Sequence, residues 1–209
     1  AAQLNNMRAR LQSQKNELAQ ALTRIQILAT RDELTGLFNR RHMLDVLTQH
    51  QKRLIRSGHH RFCLALLDID HFKRINDTHG HGVGDEVLRE FSATLQRALR
   101  DTDVLARWGG EEFLLLINDT SPDLAIIGVD RARELLAAGP LLPHMPDLKV
   151  TFSAGLTGYD NVEELNTCID RADQALYRAK SEGRDRTVIA DPPPPQVGRA
   201  GTERLAAAH

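Results

Sequence analysis

At 209 residues, with 41% hydrophobic and 26% charged side chains, the chain has room for one globular domain plus appendages. A formal net charge of −1 leaves no footprint for nucleic acid or an anionic lipid surface, both of which call for clustered lysine and arginine. Its two cysteines, Cys63 and Cys168, sit in apolar-patterned segments and read as small core residues of a reduced, cytoplasmic protein, not as a disulfide scaffold.

In chain order, residues 1–30 carry no Gly or Pro. Leu4, Leu11, Leu18 and Ile25 recur every seven residues, with Met7, Gln14, Ala21 and Leu28 three later. This a/d seam over four heptads predicts a parallel coiled coil in preference to an amphipathic helix lying on its own domain, with Gln14 as a weak point. No run approaches the roughly 18 apolar residues of a membrane span, so no membrane contact is expected within these residues. The opening Ala1-Ala2 is not a Met. The expectation is a piece of a longer chain, in which a sensor or a membrane anchor could lie upstream.

Next comes "TRDELTGLFNRRHM", where Asp32 or Thr35 caps a turn, Gly36 breaks the helix and Asn39 starts another, running to about Ser57 and ending at Gly58. "RFCLALLDID", residues 61–70, is apolar throughout and predicts a strand buried on both faces. A short helix over 71–77, a loop "THGHGVGD" and a helix from Asp85 to about Arg100 follow. "DVLARW" and "EFLLLI" flank Gly109-Gly110 as a β-hairpin. A helix over 121–138, the strand "LKVTFSAGLT" with Gly155 at a bulge or close approach, a helix from Val162 to about Ser181 and the short strand "RTVIA" complete the domain. From Asp191 the Pro-rich tail has no apolar periodicity and is expected to be disordered. The division is therefore 1–30 coiled coil, 31–190 folded domain and 191–209 tail. Without the extra helices the order is β-α-β-β-α-β, which predicts an α/β (α+β) fold with an antiparallel central sheet flanked by helices.

Carboxylates at the end of an apolar strand are poorly placed for stability, because isolated charges resist desolvation. "LLDIDHFKRIND" holds three of them and a lysine. A helix N-cap would explain Asp70. It does not explain Asp68 as well. If the hairpin lies beside this strand, Glu111 and Glu112 reach the same edge, and two strands then offer three carboxylates to one or two hard cations. That pattern suits phosphoryl transfer. The bland alternative for the glutamates is a solvated hairpin tip.

"RWGGEEF" resembles the GGDEF (GGEEF) signature of diguanylate cyclases, and "DELTGLFNRR", "LDIDHFKRINDTHGHGVGDEVL" and "ADQALYRAKSEGRD" are similar to the family's other landmarks, in the same order. The resemblance covers about Thr30 to Ala190. It implies a nucleotidyl-cyclase or polymerase-palm-like fold that condenses two GTP into cyclic di-GMP and two pyrophosphates across a homodimer. Two Mg²⁺ ions per active site are implied, with Mn²⁺ as a substitute. Asp68 and the Ile69 carbonyl would hold metal together with Glu111, which would also help deprotonate the attacking 3′-hydroxyl, while Glu112 would complete the metal and phosphate shell. Strand alternation by itself would nominate Asp70 as a ligand, and the resemblance demotes it.

The resemblance further implies that Lys73 stabilises phosphate charge, that Lys180 and Arg184 reach the triphosphate, and that Phe72, Gly109 and Gly110 line the substrate. Asn76 and Asp85 match guanine-binding positions and His81 a substrate-contacting histidine. Guanine's N1–H and N2–H₂ donors suit the Asp85 carboxylate, which can also be read as a helix N-cap. Arg100, Asp103 and Arg131 resemble an inhibitory site for cyclic di-GMP; alone, Arg100 and Asp103 would read as an i,i+3 surface pair. The rival to an enzyme is a catalytically inactive module that binds GTP or cyclic di-GMP.

Overall fold

The computed structural model describes residues 2–57, 61–160 and 163–193. Helix α1 (Ala2–Thr30) leads into a two-residue strand β1 (Phe38–Asn39) and helix α2 (Arg40–Ser57). Then follow β2 (Phe62–Ile69), α3 (Phe72–His79), α4 (His81–Ala98), β3 (Val104–Arg107), β4 (Glu112–Asn118), α5 (Pro122–Ala137), β5 (Phe152–Tyr159), α6 (Leu165–Ser181) and β6 (Thr187–Ile189). The expected helix boundaries at Gly58 and Val162, and all of the expected disordered tail beyond 193, lie outside the described residues.

One six-stranded sheet runs in the order β1-β3-β4-β2-β5-β6. The four central strands are antiparallel, as the α/β expectation has it, but β1 joins β3 and β6 joins β5 in parallel. The sequence reading has no β1. Two residues are too few to show an alternation.

Strand β2 is buried along its whole length because helices cover both faces of the sheet. Cys63, Ala65, Leu67 and Ile69 join one core with Val87, Phe91 and Leu95 of α4 and Val129 of α5. Phe62, Leu64 and Leu66 join the other, with Met43 and Leu47 of α2 and Ala172 and Leu176 of α6. The two-residue period therefore assigns Asp68, next in line after Leu66, to the α6 side. Both cysteine thiols are free and buried, and burial pushes each up to about 12, so they stay neutral.

Gly155 is a close approach, not a bulge: it stays in ladder register with Leu66, and a β-carbon there would collide with the Ala172 carbonyl and the Leu176 amide of α6. Two boundaries differ from expectation in ways that matter. Helix α4 begins at His81, so the expected loop shrinks to Gly80 (φ 86°) between two helices. Gly84 is inside the helix because a side chain there would collide with Asn76 Oδ1. Asp85 consequently lies past the first turn of α4 and caps nothing. Asp70 is not a cap either: the residue before α3 is His71, in the left-handed region at φ 57°.

Candidate active site

Strand pairing sets the site. Asp68 stands opposite Glu112 in the β2–β4 ladder, and the Ile69 amide donates to the Glu111 carbonyl at 3.3 Å. Three carboxylates from two strands thus meet at one end of the sheet, as the hairpin argument predicts. Asp68 is only 6% exposed, and the Lys180 ammonium from α6 sits 2.9 Å from its Oδ2. Burial raises the Asp68 carboxyl above the ordinary carboxylate range, against the pull of Lys180 and, more weakly, Arg184. Burial also raises Glu111 and Glu112, and the charge on Asp68 raises both further. Three acids that resist ionising together, faced by two cations from α6 and the turn behind it, form an electrostatically frustrated cluster.

A hard divalent cation fits this donor set, since it would relieve the mutual repulsion. Among the described residues no group of three or more His, Cys, Asp or Glu side chains is placed to hold a metal ion. An open set suits Mg²⁺, which takes one or two carboxylates and leaves its other positions to water and phosphate.

Asp70 has a different job. Its carboxylate accepts hydrogen bonds from the Thr151 hydroxyl (2.7 Å), the Ser153 hydroxyl (2.7 Å) and the Asp185 amide (3.1 Å). It ties β5 and the turn after α6 to the end of β2. With its lone pairs so engaged, it is a structural anchor and not a ligand.

The signature turn is open on one side. A β-carbon on Gly109 would come within 2.6 Å of Glu112 Oε2, so a side chain there would displace the end of that glutamate. Gly110 has neither a positive φ nor any atom within 4 Å of where a side chain would start. The space beside its α-carbon is open, while its carbonyl accepts from the Arg107 guanidinium at 3.1 and 2.7 Å. Trp108, just past the end of β3, is buried, and the Arg40 guanidinium lies 4.5 Å from its ring. Arg40 is near enough to Glu112 to oppose its raised pKa. The sequence reading passed over Arg40, and only the tertiary fold brings it to the glutamates.

On the other side of the strand end, Lys73 is exposed in the first turn of α3. The Phe72 ring is buried beneath Gly84, so what Phe72 offers a ligand is its backbone. Asn76 rests against Gly84, one residue from Asp85, and His81 is exposed at the start of α4. The residues assigned to guanine therefore gather at one helix–helix corner.

Arg100, Asp103 and Arg131 line one cavity of about 250 Å³ between α4, β4 and α5, with Leu124 and Ile127 beside them. Arg100 and Asp103 are not joined through their charged ends. The Asp103 carboxylate accepts from the Arg100 amide at 3.1 Å, closing a turn, while the Arg100 side chain is exposed. Arg131 donates to the Ala98 carbonyl.

A family model described as "Diguanylate cyclase, GGDEF domain" matches residues 29–186. The chain is 45% identical over 162 residues to the diguanylate cyclase DgcP of Pseudomonas aeruginosa, covering 78% of this chain and 24% of that protein. It is 37% identical over 175 residues to the probable diguanylate cyclase DgcC of Escherichia coli, covering 83% of this chain and 47% of that protein. The chain thus spans less than half the length of these relatives. Among solved structures it is similar to the coiled coil and GGDEF domain of DgcB from Caulobacter crescentus, in complex with c-di-GMP. There the TM-score is 0.82 and the identity 30%, over 90% of this chain and 99% of that one. It is also similar to diguanylate cyclase SiaD in complex with its activator SiaC from Pseudomonas aeruginosa, with a TM-score of 0.75 and 38% identity over 90% of this chain and 73% of that one.

Proposed function

Because the chain belongs to the GGDEF domain family of diguanylate cyclases, we propose that it condenses two GTP into cyclic di-GMP and two pyrophosphates. The observation that carries this reading is the meeting of Asp68, Glu111 and Glu112 at one sheet end with Lys180 and Arg184 facing them. A module that only binds nucleotide has no need of three destabilised carboxylates.

Each domain binds one GTP, and two domains face each other. The 3′-oxygen of one nucleotide forms a bond to the α-phosphorus of the other as the bond to the β-phosphate oxygen breaks, and the step is repeated in the opposite sense. Asp68, Glu111 and the Ile69 carbonyl would hold Mg²⁺ (or Mn²⁺), two ions per site, which would supply neutralisation of charge on the reacting phosphates. Glu111 helps take the proton from the attacking hydroxyl, and Glu112 would complete the metal and phosphate shell. Lys73, Lys180 and Arg184 hold the triphosphate by charge. The open backbone of Gly110, beside Gly109, admits a phosphate without steric hindrance. Asn76 and Asp85 read the guanine, with His81 and the Phe72 backbone alongside. Incubation of the chain with GTP and Mg²⁺ tests the reading: formation of cyclic di-GMP supports it, and nucleotide binding without turnover replaces it with the binding module.

Two domains must meet, and α1 supplies a means. Every described side chain between residues 3 and 29 is exposed. Met7, Leu11, Leu18, Ile25 and Leu28, all on the predicted seam, are each between 59% and 63% exposed, a stripe that a second copy would bury. Deleting residues 1–29 is expected to leave the domain folded but make specific activity rise with protein concentration, because encounter becomes bimolecular. A dilution series checks this, and a concentration-independent rate in the truncated form would count against a dimerising role.

The cavity at Arg100, Asp103 and Arg131 serves product inhibition in this reading. A guanidinium fork matches either a phosphate or a guanine edge, and Arg100 is free of Asp103's carboxylate. Arg100→Ala is expected to keep the initial rate while removing the slowing seen as cyclic di-GMP accumulates. Progress curves with and without added product decide it.

A further inference from the structure

Residues 182–186, between α6 and β6, are all exposed, so apolar packing does not hold their shape. That shape is a demanding one. Gly183, Arg184 and Asp185 take φ of 118°, 64° and 46° in succession, the left-handed side that residues with a side chain avoid. Polar contacts hold it instead. The Arg184 amide donates to the Ala179 carbonyl (2.9 Å), and the Arg184 carbonyl accepts from Arg186 Nε (3.1 Å). The Asp185 amide donates to Asp70, as described above.

The Asp185 side chain is held from elsewhere. Its partner, Arg133, comes from α5, which packs on the opposite face of the sheet from α6. Arg133 Nη1 donates to the Phe152 carbonyl (2.6 Å) and to Asp185 Oδ1 (2.9 Å), and Nη2 donates to the Thr187 hydroxyl (2.9 Å). The same guanidinium lies 4.3 Å from the centre of the Phe152 ring, and the side chain is only 19% exposed. Three acceptors and an aromatic ring around one head group suit a planar fork, and an ammonium cannot meet them all. Between the two residues so fixed, Gly183 and Asp185, stands Arg184. Its charge is close enough to Asp68 to oppose the rise in that carboxyl's pKa.

We infer that Arg133 is a positioning residue: by clamping Asp185 it keeps the turn left-handed and so aims Arg184 at the triphosphate of the nucleotide. Asp70 fixes the backbone of this turn from the end of β2, and Arg133 fixes its side chain from α5. Without the clamp, Arg184 and Asp185 relax toward commoner backbone conformations, and the Arg184 guanidinium swings away from the carboxylates. The bearing on nucleotide rests on the reading of Arg184 as a triphosphate contact. The clamp on the turn does not.

The test compares Arg133→Lys, Arg184→Ala and the double variant, each in the whole chain. The probes are GMP and the GTP analogue with a methylene bridge between its α- and β-phosphates, which cannot lose pyrophosphate. Both are titrated calorimetrically in Mg²⁺. Arg133→Lys is expected to weaken the analogue about tenfold and GMP less than about twofold, because GMP has no β- or γ-phosphate for Arg184 to grip. In the Arg184→Ala background the same substitution is expected to cost less than about twofold, since residues that act through one contact are not additive. Hydrogen exchange at the Arg184 and Asp185 amides, without nucleotide, is expected to quicken about fivefold in Arg133→Lys. If that variant does not fold, Asp185→Gly takes its place: glycine adopts positive φ freely and keeps the amide given to Asp70, so only the clamp is lost. Equal weakening of both nucleotides, or an undiminished effect in the Arg184→Ala background, would overturn the positioning role and leave Arg133 a brace for β5 and β6. Unchanged exchange would overturn the clamp itself. Quicker exchange in a chain where Arg184→Ala leaves the analogue's affinity unchanged would keep the clamp, remove Arg184 from triphosphate binding and overturn the aim given to it here.

Discussion

Glu111→Gln is expected to lower cyclic di-GMP formation at least about a hundredfold while raising, not lowering, the melting temperature at neutral pH. The two halves have one cause. Burial and the Asp68 charge raise the Glu111 carboxyl in the folded chain. An acid whose folded pKa lies above its unfolded value contributes stability that is fully present below the unfolded value and lost as pH rises through the folded one. Near neutrality the ionised cluster therefore works against folding, and an uncharged isostere removes part of that strain. Asp68→Asn is expected to abolish turnover likewise, but with a smaller gain in melting temperature, since Lys180 then loses its partner at 2.9 Å. A melt of each variant across pH 5 to 8 beside a turnover assay checks both halves. Near-normal turnover in either would dismiss the carboxylate assignment. In the metal-free wild type, the three acids should take up protons on acidification at a higher pH than ordinary carboxylates would, because all three are raised.

Asp85→Ala is expected to erode discrimination between GTP and ATP by about a hundredfold or more, with a smaller loss in the rate of bound GTP. Guanine presents two adjacent N–H donors and adenine has no amino group at that position, so the selectivity depends on an acceptor. Asp85 has no capping bond to make in α4, which leaves its carboxylate for that use. Gly84 is part of the same device, because any side chain there would evict Asn76. Competition between GTP and ATP in the wild type and the variant measures the effect. An unchanged ratio would move base recognition elsewhere.

The strands that hold the site were legible because their patterns are local. Eight apolar-bounded residues in β2 and the glycine turn between β3 and β4 announce themselves, and their pairing follows from the split β-α-β-β-α-β order. The acids at the strand ends were legible because desolvated carboxylates demand a reason. What stayed hidden depends on partners far along the chain. Asp70 reads as a helix cap until Thr151, Ser153 and Asp185 arrive from more than 80 positions away. Glycines at 82 and 84 imitate a loop and hide the first four residues of α4, when one of them is there to seat Asn76. A glycine within a strand, as at Gly155, signals a bulge or a close approach, and only the fold supplies the approaching element, α6.

The two outermost strands, of two and three residues, have a consequence for how copies of this chain meet. A long bare strand at the border of a sheet invites another chain to continue the ladder. Here β1 and β6 end the ladder in stubs too brief to template such an extension. Continuation of one sheet into another is thereby closed off as a mode of assembly. In the proposed reaction, domains that approach and separate as nucleotide enters and product leaves would meet through helices and side chains, whose contacts can be undone without unzipping backbone.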